Sequence, residues 1–241
     1  MFNYKLTIQY DGTEYAGWQI QENAKSVQGT ISKAIKIILK KEVNLIGAGR
    51  TDTGVHALGQ VANFRFVKEI TPYHFQHSLN SILPKDISII ETERVSESFH
   101  SRFDAKERSY LYLISKDKSP FYYKYSLLKK NVDVKILNQL SDIFLGKKNY
   151  TSFCRKNSQV KDKICNVNFI RWRETNFFYL FFISADRYLH GMVRTIIGTL
   201  LYTLEKKENK EFINTIINNK DRETAGEAVA AKGLFLYKVK Y

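Results

Sequence analysis

The stretch from Gly47 to Phe64, GAGRTDTGVHALGQVANF, constrains this chain more than any other part of its sequence. A short apolar run before it and a partly alternating run within its second half predict a loop between two strands. Its glycines allow backbone angles that are closed to other residues, and they let a ligand approach the main chain closely. The pattern therefore predicts a loop shaped for binding at the end of a strand.

Three side chains of this loop can carry chemistry: Arg50, Asp52 and His56. A neighbouring cation keeps a carboxylate ionised even where solvent is thin, and a nucleophilic or general-base aspartate needs the ionised form. Asp52 is therefore the candidate catalytic residue, with Arg50 as the cation beside it. Taken alone, the loop is also compatible with a purely structural role, because glycine-rich turns with Asp and Arg are common.

The tripeptide DTG, which begins at Asp52, also matches the aspartic-protease signature. That chemistry needs two carboxylates that share a proton, supplied by a second copy of the motif or by a homodimer. The sequence holds no second copy, and a cation beside such a pair would oppose the shared proton. The protease interpretation is therefore disfavoured.

Length and composition indicate a soluble protein of the cytoplasm. A chain of 241 residues with 44% hydrophobic content can bury a sizeable core in one large or two small domains, and we expect two. No stretch is as long and apolar as a membrane-spanning helix, and the first residues alternate like a strand rather than a signal sequence. Cys154 and Cys165 are expected to be packing residues, and no Cys/His cluster has the spacing of a metal site.

The formal net charge of +14 makes nucleic acid the expected partner, because a basic surface attracts phosphates and releases their counterions. A lysine-rich composition can also reflect genome base composition, so the placement of the charge matters. From Lys147 to Arg173 eight cations accompany one anion, which gives +7, half of the net charge. Lys147, Lys148 and Arg155 of this region are the expected RNA contacts.

A second basic segment, SKDKSPFYYKYS from Ser115, interleaves lysines with aromatic residues. This mixture is typical of surfaces that contact both phosphates and stacked bases. A solvated connection with its aromatic rings buried beneath it fits the same pattern equally well.

The order of predicted elements indicates an α/β (α+β) fold made of two similar halves. In the first half, strands and two helices, one capped by Ser26 and one stopped by Pro84, follow the β-α-β-β-α-β order of a split plait. The pattern begins again near residue 105, and its most regular helical periodicity runs from Leu189 to Leu204. We predict two ferredoxin/RRM-like α-β plait domains with largely antiparallel sheets, residues 1–104 and 105–241.

In the central loop the sequence resembles the tRNA pseudouridine synthase A family, whose pattern around its nucleophilic aspartate is GRTDAGVHAxGQVxxF; this chain has GRTDTGVHALGQVANF. Similar stretches follow the family order over nearly the whole chain: YDGTEYAGWQ, SVQG, FHSRFDAKERSYLY, HGMVRTIIG and GLFLYKVKY. A motif of this length with companions in register is far more specific than a three-residue signature. The chain departs from the family pattern at Thr53, Asn149, Tyr150 and Lys163.

The resemblance implies an isomerase that converts uridine to pseudouridine in the anticodon stem-loop of tRNA. It implies a homodimer that needs no metal or cofactor, built from two plait domains whose sheets join into one extended sheet. It gives the catalytic role to Asp52, with Arg50, Tyr110 and Arg194 at the active site. Tyr110 is expected beside the target base, and Arg50 and His56 are expected to help bind the substrate.

Two questions stay open at this point. The aspartate can act by attacking the sugar or by removing a sugar proton, and the sequence does not choose between these routes. The alternative to an enzyme is a non-catalytic RNA-binding module or chaperone in which Asp52 has only a structural role.

Overall fold

The computed structural model describes residues 1–156 and 158–241. The chain forms two compact units, Met1–Lys106 together with Phe235–Tyr241, and Glu107–Leu234. This division differs from the expected boundary near residue 104 chiefly in the last strand, which belongs to the first unit.

The first unit contains five strands and two helices. In chain order its first six regular elements are β1 (Phe2–Tyr10), α1 (Val27–Leu39), β2 (Ile46–Gly47), β3 (His56–Phe66), α2 (Pro72–Ile82) and β4 (Ile87–Val95). The second unit contributes β5 (Glu107–Ser115), β6 (Leu127–Leu128), α3 (Val134–Ser141), β7 (Gly146–Asn149), β8 (Ile164–Glu174), β9 (Phe178–Ala185), α4 (Met192–Lys206) and α5 (Lys210–Asn219). The last strand is β10 (Leu234–Lys240).

The sheet of the first unit is built on β1, which lies antiparallel between β3 and β4. The other edge of β3 is shared by β2, which is antiparallel to it, and by β10, which is parallel to it with Phe235 opposite His56. That pairing is why the C-terminal strand belongs here, since it adds main-chain hydrogen bonds at the strand that follows the central loop. The predicted β-α-β-β-α-β order is confirmed.

Helix α1 shows how the local sequence sets an element of this unit. The Ser26 side chain accepts a hydrogen bond from the N–H of Gly29 at 3.2 Å, as predicted for an N-cap. Val27, Ile31 and Ile35 recur at helical spacing and are fully buried. The cap and the apolar stripe together fix where the helix begins and which face meets the core.

The second unit has a sheet in the order β5-β9-β8-β7 with antiparallel neighbours, and β6 pairs parallel with β5. The core contains Trp172, whose ring packs at a tilt against Phe181, with ring centroids 4.8 Å apart. The periodicity that begins at Leu189 overestimates the length of α4, because Gly191 adopts a φ of 76° and the helix begins only at Met192. Both units therefore combine helices with a mostly antiparallel sheet, and the predicted mixed α/β class is confirmed.

Two compositional expectations can be compared with this fold. Cys154 and Cys165 are both buried and neither takes part in a disulfide. In the described part of the chain, no helix combines the length and apolar character that a membrane crossing requires.

Candidate functional site

The candidate catalytic loop joins β2 to β3, and Asp52 lies at its turn with a partly exposed side chain. The N–H of Val55 donates to the carbonyl of Asp52 at 3.1 Å, which closes a β-turn over Thr53 and Gly54. Gly54 has a φ of 74°, the left-handed angle that the third position of a type II turn requires. A side chain there would strain the turn, so this glycine fixes the direction in which Asp52 leaves the loop.

A second loop, residues 10–19, packs its main chain directly against the catalytic loop. The N–H of Trp18 donates to the carbonyl of Thr51 at 3.1 Å, and the N–H of Gly54 donates to the carbonyl of Tyr15 at 3.4 Å. These two bonds hold the main chain just before and just after Asp52. We call residues 10–19 the cradle loop.

The glycines of the cradle loop make this close approach possible. A Cβ added to Gly12 would overlap the carbonyl oxygen of Val55, and one added to Gly17 would overlap that of Thr51. The sequence had indicated only a turn for this run. The structure shows that Gly12 is needed for space rather than for an unusual angle, since its φ is not positive.

Buried hydrogen bonds hold the floor of the catalytic loop. The hydroxyls of Tyr10 and Thr51 lie 2.7 Å apart, and the side-chain amide of Gln60 donates to the carbonyl of Gly49 at 3.0 Å. Burial raises the pKa of Tyr10 above its ordinary value, so the phenol stays neutral and remains a donor. Gln60 and Tyr10 were not among the residues predicted for the site, because their role depends on contacts distant in sequence.

The imidazole of His56 is buried, with 1% of the residue exposed, and it supports the cradle loop. Its Nδ1 lies 3.0 Å from the N–H of Gly12 and 3.0 Å from a carboxylate oxygen of Asp11. A ring nitrogen cannot accept from the first and donate to the second at once. The N–H of Gly12 can only donate, so this bond makes Nδ1 of His56 the acceptor, while Asp11 receives the N–H and hydroxyl of Thr13.

The ring of His56 also stacks on Phe235 of β10, with centroids 4.7 Å apart. His56 thus joins the first residue of β3 to the cradle loop and to the C-terminal strand. This position favours a supporting role for His56 over the direct substrate contact expected from the sequence.

Arg50 has an exposed side chain whose Nε donates to the side-chain oxygen of Gln19 at 3.1 Å. The guanidinium therefore links the catalytic loop to the end of the cradle loop. Arg50, Asp52 and His56 all lie in the first unit, and the remaining predicted site residues lie in the second.

Tyr110 lies on β5 of the second unit and is half-buried. Its ring meets the ring of Tyr188 edge to face, with centroids 5.1 Å apart. The hydroxyl of Tyr188 donates to the carbonyl of Arg108 at 3.3 Å, and burial raises its pKa well above the ordinary value. The hydrogen bond holds Tyr188 in place, and its ring packs against Tyr110 and orients that ring.

Arg194 lies in the first turn of α4, and its Nε donates to the carbonyl of Val229 at 2.6 Å. The N–H of Val229 donates back to the carbonyl of Arg194 at 3.2 Å. Gly198 and Gly226 let the same segment, residues 225–231, lie against the main chain of α4, because a Cβ on either would meet backbone atoms. The guanidinium plane of Arg194 is thus oriented by a segment that the sequence analysis did not single out.

The predicted RNA-binding lysines lie on the edge strand β7. Lys147 is exposed and Lys148 is partly exposed, and they pair with β8 opposite Asn166 and Cys165. Arg155 follows a short 3-10 turn and is exposed. These positions allow contact with a polyanion at the surface of the second unit.

The aromatic segment from Ser115 has one ring packed against the protein and others exposed, so each of the two interpretations fits part of it. Tyr122 packs edge-on against Phe178, with centroids 4.8 Å apart. In contrast, Phe121 and Tyr123 keep 79% and 57% of their surface exposed. One ring anchors the segment, and the other two are available for contacts with a partner.

In the described residues, no group of three or more His, Cys, Asp and Glu side chains could hold a metal ion. The predicted site residues carry carboxylate, guanidinium, imidazole, phenol and ammonium groups. This set suits proton transfer, nucleophilic attack and phosphate binding.

Comparison with known proteins gives one consistent answer. The family model described as tRNA pseudouridine synthase matches residues 6–104 and 141–241. A protein named tRNA pseudouridine synthase A from Brachyspira hyodysenteriae is 42% identical over 243 residues, covering 98% of this chain and 96% of the relative. One named tRNA pseudouridine synthase A 2 from Clostridium perfringens is 40% identical and covers all of both chains.

A solved structure titled as an H/ACA RNP bound to a substrate RNA containing 2'-deoxyuridine is a more distant match. It is 13% identical, covers 82% of this chain and 43% of the other, and has a TM-score of 0.39. That likeness is too weak to support a functional conclusion.

Proposed function

This chain belongs to the tRNA pseudouridine synthase family and is an isomerase that converts uridine to pseudouridine in tRNA; we propose that Asp52 carries the chemistry and that the target uridines lie in the anticodon stem-loop. The observation that supports Asp52 is a partly exposed carboxylate whose main chain is held on both sides by the cradle loop. A group that must meet one sugar atom gains most when it is oriented before the substrate arrives.

The reaction needs no external reagent. The bond between N1 of uracil and C1′ of ribose breaks, the base turns, and a bond forms between C5 and C1′. C5 then loses a proton and N1 gains one, so the product is an isomer of the starting nucleotide. The carboxylate of Asp52 supplies the lone pair that starts the reaction, by attack on the sugar or by removal of a sugar proton.

The other assigned residues have supporting roles in this proposal. The ring of Tyr110 stacks on the target base, and its hydroxyl assists loss of the C5 proton. Arg194 faces the active site as a cation and stabilises negative charge there. Arg50, held by Gln19, places a cation in the same loop as Asp52.

A uridine inside a helical stem has to leave the base stack before the sugar can be reached. Lys147, Lys148 and Arg155 would hold the surrounding phosphates while one nucleotide is turned out. RNA of this kind is recognised mainly through its shape and its backbone. The exposed rings of Phe121 and Tyr123 offer additional stacking surfaces to unpaired bases.

We also propose that the protein acts in the cytoplasm, as a homodimer, and without a metal or cofactor. The two buried cysteines without a disulfide fit a reducing compartment. The homodimer follows from the family resemblance. No step of the proposed reaction requires a metal, because the carboxylate and the substrate supply all the reacting groups.

The deciding experiment is chemical mapping of pseudouridine in unmodified tRNA transcripts after incubation with the purified protein. New pseudouridine confined to the anticodon stem-loop is the expected result, and its yield should be the same with and without a chelator. Product elsewhere in the tRNA would contradict the proposed target. Activity lost to the chelator and restored by metal, with the tRNA fold unchanged, would contradict the metal-free mechanism.

A non-catalytic RNA-binding module predicts a different outcome of the same mapping. Such a protein would bind the transcript and leave every uridine unchanged. The fixed position of Asp52 favours the enzyme, because binding through lysines alone gives no reason to hold a carboxylate at an exposed turn.

A further inference from the structure

A pocket of about 260 Å³ lies in the second unit, and its described lining contains none of the residues assigned above to catalysis. It is formed where the segment that follows β7 meets the turn after α5. The charged side chains that line it are four cations, Arg155, Lys156, Lys163 and Arg222, and one carboxylate, Asp221. Uncharged side chains of Thr, Cys and Ser complete the wall.

The hydrogen bonds of the cations leave the pocket positively charged. Lys163 donates to the carbonyl of Ser158 at 3.2 Å, and Arg222 donates to the carbonyl of Ala225 at 3.3 Å, so both are positioned by neutral acceptors. Within the described residues, neither these two nor Arg155 forms an ion pair with a carboxylate, whereas Lys156 pairs with Glu223.

The carboxylate of Asp221 has a structural role of its own. One of its oxygens accepts the N–H of Glu223 at 3.0 Å and caps the short turn at residues 222–224. Three cations therefore meet in a cavity without a carboxylate paired to them. Their charge excludes a metal cation as the ligand and favours an anion.

A phosphate suits the size and the chemistry of this pocket. Water occupies about 30 Å³ per molecule in the liquid, so the cavity has room for a phosphate group with part of its hydration. Two of the cations are arginines, whose planar forks match phosphate oxygens in pairs. Such a pocket is suited to one defined phosphate, whereas the exposed lysines of β7 are suited to more diffuse contact with a polyanion.

The pocket is linked to the candidate active-site residues of its own unit by one short segment, residues 186–191. The N–H of Arg155 donates to the carbonyl of His190 at 2.9 Å. In the same segment, Tyr188 contacts the ring of Tyr110. A phosphate bound beside Arg155 would thus be held close to the residue that is proposed to contact the target base.

We propose that this pocket binds a single backbone phosphate of the substrate tRNA near the target uridine and so fixes the position of the RNA before the base is turned out. The assignment of tRNA as the ligand rests on the function proposed above. Loss of the pocket should weaken the binding of tRNA and leave the chemistry of the bound complex intact.

The test combines charge-removing variants with a scan of the RNA backbone. Methylphosphonate linkages, which lack the negative charge, are placed one at a time through an anticodon stem-loop RNA. The parent protein should lose about tenfold in affinity at one linkage near the target uridine. Arg155→Gln should bind the unmodified RNA about tenfold more weakly and be insensitive to that linkage, because protein and RNA changes remove the same contact.

Arg222→Gln should behave in the same way, and Lys33→Gln, an exposed charge on α1, should keep the parent's pattern across the scan. Arg222 also supports the turn at Ala225, so thermal unfolding is measured for each variant. If Arg222→Gln lowers the unfolding midpoint, Arg155→Gln decides alone, since the exposed side chain of Arg155 forms no such bond with another residue that the structure describes. If every variant keeps the parent's sensitivity to each linkage, the proposal is overturned.

Inorganic phosphate separates an RNA site from a site for a free anion. The RNA assignment would be overturned by two results together. Phosphate would protect the parent, but not Arg155→Gln, against unfolding, and the two proteins would bind RNA with equal affinity. The pseudouridine yield of the parent is measured in parallel. A parent that makes no pseudouridine refutes the proposed function, whereas an active parent with no linkage-specific effect refutes only the pocket.

Discussion

Gly12 and Val55 lie main chain against main chain, so close that a Cβ on Gly12 would overlap the carbonyl oxygen of Val55. The N–H of Gly12 also donates to the buried imidazole of His56, the residue that follows Val55. The main chain of the cradle loop therefore packs directly against the main chain of the catalytic loop. Any side chain at this contact has to displace one of the two loops.

Replacement of Gly12 by alanine tests whether this fit matters for the reaction. Gly12→Ala should move the catalytic loop and slow pseudouridine formation about a hundredfold, because catalysis is sensitive to displacements near 1 Å. Single-turnover rates at saturating tRNA measure the effect. Gly49→Ala is the matched control, since a Cβ at Gly49 meets nothing within 4 Å. Equal rates for the two variants would show that the contact does not position Asp52.

The fold was largely predictable from local patterns in the sequence. The cap at Ser26 identified the start of α1, and α2 ends just before Pro84 as predicted. Strand β7 was missed because its sequence, GKKN, has no apolar alternation. It is an edge strand whose hydrogen bonds come from β8, and lysine is common on such edges.

The site was predictable where it is contiguous in sequence and unpredictable where it depends on distant contacts. The loop around Asp52 is one uninterrupted motif, so its chemistry could be inferred from residue types alone. The contact of Gly12 with Val55 and the pairing of Phe235 with His56 join distant parts of the chain. No local pattern encodes such pairings, and the predicted boundary near residue 104 assigned the last strand to the second domain for that reason.

The hydroxyl of Tyr110 can be tested separately from its ring. Tyr110→Phe keeps the stacking surface and removes the hydroxyl, so tRNA affinity should be unchanged while product forms about a hundredfold more slowly. Tyr110→Leu should also weaken binding, because stacking on a base contributes about 1–3 kcal/mol. Affinity and single-turnover rate are measured for both. A Phe variant with the parent's rate would exclude the hydroxyl from proton transfer.

Binding of tRNA should weaken steeply as salt rises. Each phosphate neutralised by the protein contributes roughly 0.7 to 0.9 to the slope of log affinity against log salt. Replacing both Lys147 and Lys148 by glutamine should reduce that slope by roughly 1.4 to 1.8, because both lie at the accessible edge of the second unit's sheet. Equilibrium binding across a salt series measures it, and a parent affinity that is flat across salt would remove the argument from charge.

Light scattering should give the mass of two chains at working concentration. The expectation is a two-fold assembly in which the basic surfaces of both subunits frame one RNA, with Asp52 of one subunit at the end of the shared cleft. Activity is measured over a dilution series in parallel with mass. Full activity in a monomer would contradict the dimer proposal.

Replacement of the Asp52 carboxylate by an amide is the most direct test of the mechanism. Asparagine has nearly the same shape, and the bonds that hold this turn come from the main chains of Trp18, Gly54 and Val55. Asp52→Asn should therefore fold and bind tRNA at least as tightly as the parent, since one negative charge facing RNA is gone. It should make no detectable pseudouridine, because an amide has neither the nucleophilic oxygen nor the basic lone pair that the reaction needs. Affinity and yield are measured side by side under single-turnover conditions. Product formed by the Asn variant at the parent's rate would exclude Asp52 as the catalytic residue, whichever of the two routes the carboxylate was proposed to follow.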